Sequence, residues 1–225
     1  MAQTDLDRRV TLTTARSENA RETAAGMASI FMESFPHSVR EMFGRRRPDP
    51  AAMTDLYTFI IRTEPEAVQL AWESPLRPRL CGYAVTPRSM PRLWLRAAFT
   101  LAWLPWVVRF LSGRYGLGLD ALPRILRSKL AFARSFRPEN RTAAQILSVA
   151  VAPDRRGRGI GRALVERGLD YLRRRGVPRV KLEVLDDNVP ARRLYESLGF
   201  RPAGAVPYGR RHWIIMLKDL NPPRF

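Results

Sequence analysis

An α/β (α+β) fold is what this sequence predicts: a mixed central sheet of about six or seven strands flanked by helices, with a helical insertion between the third and fourth strands. Three observations carry that reading. Strand-like runs recur at 9–14, 66–73 and 79–85, with segments of helical spacing between the first two. From 145 onward a strand, a glycine-rich turn, an amphipathic helix and a second strand follow one another closely. Between these halves lies a stretch, 88–138, whose composition matches neither.

The elements follow in order. Residues 9–14 alternate as a short strand does. Ala20, Ala24, Met27, Ala28 and Phe31 mark a helix over 19–35. Gly44 to Pro50 reads as a loop, and a helix of roughly 51–63 follows. Glu66–Glu73 and Arg79–Val85, joined through Ser74-Pro-Leu-Arg-Pro78, predict an antiparallel hairpin. Gln145–Val151 is a strand ended by Pro153-Asp154. A helix from about Gly159 to Arg175 sets Ile160, Leu164, Val165, Leu169 and Leu172 on one face, and Gly176-Val-Pro178 closes it. Arg179–Leu185 is the next strand. Asn188 caps a helix with Pro190 in its first turn, Gly199 ends it, and a strand at about His212–Leu217 is the last element.

With 225 residues, a single domain over 1–225 is expected, and the apolar fraction of 45% suits a packed core rather than a disordered chain. Cys81 is the only cysteine, which rules out an intrachain disulfide and a cysteine-rich metal site and fits a reducing cytoplasm. The first residues lack the apolar core of a signal peptide. The net charge of +18 comes almost wholly from arginine, since only Lys129, Lys181 and Lys218 are lysines. So lopsided a choice reads first as genome composition, although such a field also favours anionic ligands.

The informative segment is Val149-Ala-Val-Ala-Pro-Asp-Arg-Arg-Gly-Arg-Gly-Ile-Gly-Arg162. It runs from strand through a glycine-rich turn into a helix start, where unsatisfied amides and the helix dipole favour negative charge. Gly157, Gly159 and Gly161 let backbone nitrogens approach a pyrophosphate, and Arg156, Arg158 and Arg162 add cations. A P-loop would need Lys-Ser/Thr after the last glycine, where Arg162 stands. A dinucleotide fingerprint needs Gly-x-Gly-x-x-Gly, and the spacing here is Gly157-x-Gly159-x-Gly161.

Arg156-x-x-Gly159-x-Gly161 instead resembles the pyrophosphate-binding motif of the GNAT acetyltransferases, the acyl-CoA N-acyltransferases. Leu147-Ser-Val-Ala-Val-Ala-Pro153 before it, Lys181-Leu-Glu-Val-Leu185 after it, and Asn188-x-x-Ala191-x-x-Leu194-Tyr-Glu-Ser-Leu-Gly-Phe200 agree in order and spacing. The close resemblance covers about 145–200 and leaves out 88–138. It implies the acyl-CoA N-acyltransferase fold, acetyl-CoA as co-substrate, no metal, and an amine acceptor. It also implies that the strands at 145–151 and 179–185 splay apart around the thioester. The backbone at Val149, Ala150 and Val151 would hold the pantetheine arm, and the run Arg156, Gly157, Arg158, Gly159, Ile160, Gly161 and Arg162 the pyrophosphate. Asn188 would be both helix cap and acyl-CoA contact. Tyr195 matches the tyrosine that serves the departing thiolate as an acid; the competing reading is a ring that packs its helix on the sheet. Glu183, in a Leu-Glu-Val run that resembles the branch acetylating protein N-termini, is a candidate base; strand alternation equally allows it to face solvent or an arginine. His37, in an expected loop, and His212 lack metal-ligand partners at usable spacing.

The insertion carries ten basic residues and the single acid Asp120 between Arg88 and Arg137. Leu93–Leu111 is nearly all apolar, but Arg96, Pro105 and Arg109 interrupt it, against a membrane crossing. Leu119 to Phe136 reads as a second helix with an apolar face. A helical hairpin on the domain, a lid over an apolar acceptor site, and a basic amphipathic surface on anionic membrane are the three readings. An N-acyltransferase is the leading function, acting on a small amine with an apolar body or a protein N-terminus. A non-catalytic acetyl-CoA-binding regulator is the alternative. Nucleic acid is disfavoured because no aromatic-interleaved basic stripe or zinc module is present.

Overall fold

The computed structural model describes residues 10–43, 49–73, 78–101, 103–115 and 144–220. In chain order its elements are β1 (Val10–Thr14), α1 (Ala20–Ser34), α2 (Pro36–Phe43), α3 (Ala51–Thr63), β2 (Val68–Glu73), β3 (Arg79–Val85), α4 (Met90–Phe99), α5 (Leu104–Leu111), β4 (Ala144–Ile146), β5 (Ser148–Val151), α6 (Ile160–Arg174), β6 (Arg179–Leu185), α7 (Val189–Ser197), β7 (Arg201–Tyr208) and β8 (Arg211–Asp219). The strands form two four-stranded sheets, ordered β1-β2-β3-β5 and β4-β6-β8-β7. Every pairing is antiparallel except β4 with β6. This is the mixed sheet that the sequence predicts, opened along its middle.

The opening is made by one residue. The expected single strand 145–151 is two segments with Leu147 between them. Leu147 N–H donates to Val85 O at 2.8 Å, and the next residue, Ser148, is also the registered partner of Val85. Two residues facing one is a β-bulge, and it reverses which backbone groups face which neighbour. Before it, Ala144 and Ile146 pair with Val180 and Leu182 of β6. After it, among the described residues, β5 pairs with β3 alone, and Glu183 to Leu185 of β6 have their ladder partners only on β8.

Helices cover both faces. Ala24, Met27 and Ala28 of α1 and Tyr57, Ile60 and Ile61 of α3 form one core with Leu70, Tyr83, Val85 and Ala150. On the other face α6 and α7 set Val165, Leu169, Leu172 and Tyr195 against Val180, Leu182 and Val184. Both of these helices end as their sequences predict. Gly176 at φ 68° and Gly199 at φ 83° take the left-handed conformation. Val177 then bonds back to Leu172 O, and Phe200 to Tyr195 O, closing Schellman turns.

Three elements depart from expectation. Residues 36–43, read as containing a loop around His37, are helical, with Pro36 in a first turn where its missing N–H costs nothing. Arg201–Tyr208 is a strand despite Pro202 and Pro207. The apolar run Leu93–Leu111 breaks where Leu101 adopts φ 51°, and Pro105 opens a second helix. The hairpin so formed is held from below: Leu93 and Ala97 are buried, Trp106 meets the Phe59 ring edge-on at 5.5 Å, and Arg109 and Tyr115 both donate to the buried Asp55 carboxylate. The helix expected over 119–136 lies outside the described residues.

α6 crosses the sheet closely at Gly168, where an added Cβ would stand 2.6 Å from Thr86 Cγ2, a side chain itself fully buried. Gly168→Ala should therefore destabilise the protein by about 1–3 kcal/mol through overpacking, read as a lower denaturation midpoint at unchanged m-value. An unchanged midpoint would mean that Thr86 turns aside freely.

Candidate functional site

The site begins at the free side of β5. Ala152 N–H donates to Cys81 O at 2.8 Å, so Ala150 and Ser148, two and four residues earlier, also face β3. Val149 and Val151 therefore turn their N–H and C=O into the gap beside β6. Val151 O there accepts from Arg156 Nε at 3.1 Å and from Ser34 Oγ at 3.4 Å, and Arg156 Nη2 donates to Ser34 Oγ. An outward carbonyl takes whatever donors lie near. Sequence reasoning saw Arg156 as a cation beside the glycines but missed Ser34, whose separation of 117 residues from Val151 leaves no local signal.

Beyond β5 a short 3-10 turn, Pro153–Arg155, leads into the glycines. It is pinned outward: Arg155 pairs with Glu73 at 2.6 Å and Asp154 with Arg79 at 3.0 Å. The Arg79 hydrogen bond holds the Asp154 carboxyl below its ordinary value. Gly157 at φ 75° and Gly159 at φ 78° are left-handed, a conformation that side chains resist. An added Cβ at Gly157 would meet nothing within 4 Å, and one at Gly161 only Val151 and Leu194 at ordinary contact distance. The protein's own packing does not require glycine at 161; a ligand approaching those amides would.

Gly159 precedes α6, and the first amide inside the helix with an intrahelical partner is that of Ala163, which donates to Gly159 O. The amides before it remain for an anion. Ile160 is the helix's anchor: its side chain, 1% exposed, is buried with Ala71, Cys81, Ala84 and Leu164. Only its backbone faces a ligand, which narrows the sequence reading of this residue. Arg162 reaches across to Ser197 Oγ and Glu166, tying α6 to α7, whereas Arg158 is exposed.

On α7, Asn188 Oδ1 accepts from Ala191 N–H at 3.3 Å, which is the expected cap. Tyr195 lies in the core that Val149 lines, its ring 5.8 Å from Phe200. Its hydroxyl has no hydrogen-bond partner among the described residues, and burial pushes it up to about 12. Both readings of this residue thus meet in one side chain: the ring packs and the hydroxyl is uncommitted. Glu183 sits on the face of β6 away from α6, with Lys181 Nζ at 3.5 Å from its carboxylate. The sequence readings for Glu183 named a base, solvent or an arginine; the ion pair shown is with a lysine on its own strand.

A hydroxyl cluster that sequence reasoning did not single out lies at the bulge. The buried Tyr57 and Tyr83 hydroxyls are 2.9 Å apart, and Tyr83 is 3.1 Å from Ser148 Oγ. The two histidines have partners of their own. His37 meets Tyr208 edge-on and lies 3.3 Å from Arg211, and His212 pairs with Asp186. Among the described residues no three His, Cys, Asp or Glu side chains converge as metal ligands.

Residues 125–200 match the model of the acetyltransferase (GNAT) family. A mycothiol acetyltransferase of Beutenbergia cavernae is 53% identical over 66 residues, which are 29% of this chain and 22% of that protein. A protein of the same name from Corynebacterium urealyticum is 30% identical over 200 residues, 83% of this chain and 58% of its own length. The chain therefore spans less than two thirds of these relatives. In fold it is similar to yncA of Salmonella typhimurium, solved with its cofactor acetyl-CoA, at a TM-score of 0.54 and 19% identity over 94% of each chain. The bulged strand edge, the left-handed glycines and the helix N-terminus all lie within residues 125–200, and over those residues the chain carries a match to the acetyltransferase (GNAT) family.

Proposed function

We propose that the chain is an acyl-CoA-dependent N-acetyltransferase, moving an acetyl or other short acyl group to a primary amine by direct attack on the thioester. The observation that carries this is the open edge of β5 beside β6, which leads to the free amides at the start of α6, with Tyr195 in the core against which Val149 packs. The glycines fit acetyl-CoA because two of them leave room that the protein does not fill. Gly157 to Arg162 would hold the pyrophosphate through backbone amides, with Arg156, Arg158 and Arg162 as counter-charges. Val149, Ala150 and Val151 would take the pantetheine arm as a sheet takes an added strand, once Arg156 releases the Val151 carbonyl. Asn188 keeps α7, and hence Tyr195, in place.

In the transfer a nitrogen–carbon bond forms and the carbon–sulfur bond breaks. The amine's proton must go to a base, for which Glu183 is the candidate, directly or through water. Lys181 competes for the same carboxylate. The N–H of Val149 or of a neighbour would stabilise the thioester carbonyl oxygen as it gains charge. Tyr195 stays protonated across the neutral range and gives its proton to the departing thiolate. Of the two acceptor readings, the likeness to proteins named for mycothiol supports a small acceptor without bearing on an apolar body, and the likeness to the ribosomal protein bS18-alanine N-acetyltransferase of Escherichia coli supports a protein N-terminus.

Three outcomes test the proposal. Gly161→Glu should weaken acetyl-CoA binding at least about tenfold by calorimetry while the helix stays folded, because a carboxylate in a first turn favours the helix but repels a phosphate; unaltered affinity would remove the glycine turn from the site. Tyr195→Phe should lower kcat on the order of 100-fold with acetyl-CoA affinity kept, and full turnover would leave the binding-only alternative or another acid. Since Tyr195 titrates at about 12, its loss as an acid should appear only on a strongly alkaline limb of the kcat profile. An alkaline fall at the ordinary tyrosine value that vanishes in Tyr195→Phe would contradict its burial.

A further inference from the structure

The hairpin of α4 and α5 has two sides of different character. Its underside is committed to the domain through Leu93, Ala97, Trp106 and the Asp55 contacts described above. Its outer side is not. Nine of the ten large hydrophobic side chains that the described residues leave exposed lie between Trp94 and Leu111, led by Phe99 at 85% and Leu111 at 70% exposed. Folded monomers seldom leave so many large apolar side chains of one short segment exposed to water.

Charge identifies what the surface fits. From Arg88 to Tyr115 the chain carries Arg88, Arg92, Arg96, Arg109 and Arg114 and no acid. Arg109 is spent on Asp55 and Arg88 lies 3.9 Å from Glu64. Arg92, Arg96 and Arg114 are exposed and form no ion pair among the described residues. Along α4, Arg92, Leu95, Arg96 and Phe99 fall at i, i+3, i+4 and i+7, so cations and apolar side chains share one face, with Trp94 exposed on the adjoining flank. Neither helix is long and apolar enough to cross a membrane. Tryptophan and leucine at the depth of the acyl boundary, with guanidinium groups at headgroup level, is the arrangement of an interfacial helix on an acidic bilayer.

We propose that the α4–α5 hairpin seats the protein on anionic lipid bilayers, with Trp94, Phe99 and Leu111 entering the interface and Arg92 and Arg96 meeting acidic headgroups. None of these residues is among those assigned to the β5–β6 site, so this stands whether or not the proposed transfer is correct.

The test is co-sedimentation of the full chain with vesicles of phosphatidylcholine mixed with phosphatidylglycerol, and with vesicles of phosphatidylcholine alone. Binding is expected only to the mixed vesicles and should fall as salt is raised. A Trp94→Ser, Phe99→Ser, Leu111→Ser variant and an Arg92→Glu, Arg96→Glu variant should each reduce partitioning about tenfold or more. All altered side chains are exposed, and acetyl-CoA binding measured by calorimetry should match the wild type in both. The proposal is overturned if the wild type stays in solution with mixed vesicles, if it binds neutral vesicles equally, or if neither variant weakens binding. It is also overturned if the wild type dimerises with rising concentration, ignores vesicles, and becomes monomeric with the serine substitutions, because the surface then belongs to a second copy. Loss of acetyl-CoA binding by the wild type would bear on the proposed transfer and leave this result untouched.

Discussion

A backbone amide can point at one neighbour, and at Leu147 and Ser148 two in succession are directed at Val85. Everything distinctive about the centre of this protein follows from that doubling. Without it, the strand from Ala144 to Val151 would continue its parallel ladder with β6 and the sheet would close. With it, β5 belongs to one half of the sheet and β4 to the other, and the edge facing β6 is left to Val149 and Val151. The helices fix the opening in place: α6 is rooted by Ile160 in one half and by Val165 and Leu169 in the other. The anion-facing turn is therefore not a mobile loop hung on the molecule. Ion pairs of Arg155 and Asp154 hold one end of it, and a buried isoleucine holds the other.

Much of this was legible in the sequence because its causes are local. Glycines at 157 and 159 are required by the backbone conformation they adopt, so their spacing is readable in one dimension. The ends of α6 and α7 were readable for the same reason, as was the Asn188 cap. What could not be read depends on contacts between distant segments. β7 contains Pro202, Gly204 and Pro207, a composition that argues against a strand, and it is a strand because β8 pairs with it from Arg201 to Tyr208 around an irregularity at Pro202 and Gly204. The bulge at Leu147 has no signature residue; it exists because β3 and β6 make incompatible claims on one chain. Ser34 and the Tyr57–Tyr83–Ser148 hydroxyls meet across the sheet core and carry no pattern along the chain.

The charge shows a similar division. The excess of arginine looked like composition, and for many residues it behaves so: Arg79, Arg155, Arg173, Arg175, Arg179 and Arg211 find carboxylates at the surface or its margin. Exposed pairs of this kind contribute little individually. Arg158 beside the glycine turn and Arg92, Arg96 and Arg114 of the α4–α5 segment keep no ion pair among the described residues, as do exposed arginines elsewhere such as Arg21, Arg174 and Arg210.

An edge of unpaired backbone is also an invitation to misassembly, since any extended chain can hydrogen-bond to it. In this protein the bare edge of β5 is not at the rim of the sheet but inside it, with β6 diverging on the far side and α6 beneath. A foreign strand could not lie along it and continue outward into a growing stack, because the second half of the sheet stands in the way. The guanidinium of Arg156 and the hydroxyl of Ser34 further occupy the Val151 carbonyl, as a removable stopper would. A cleft of this shape admits one slender chain at a time and offers nothing for a second to build on, so the feature that opens the sheet to a ligand also keeps it closed to polymerisation.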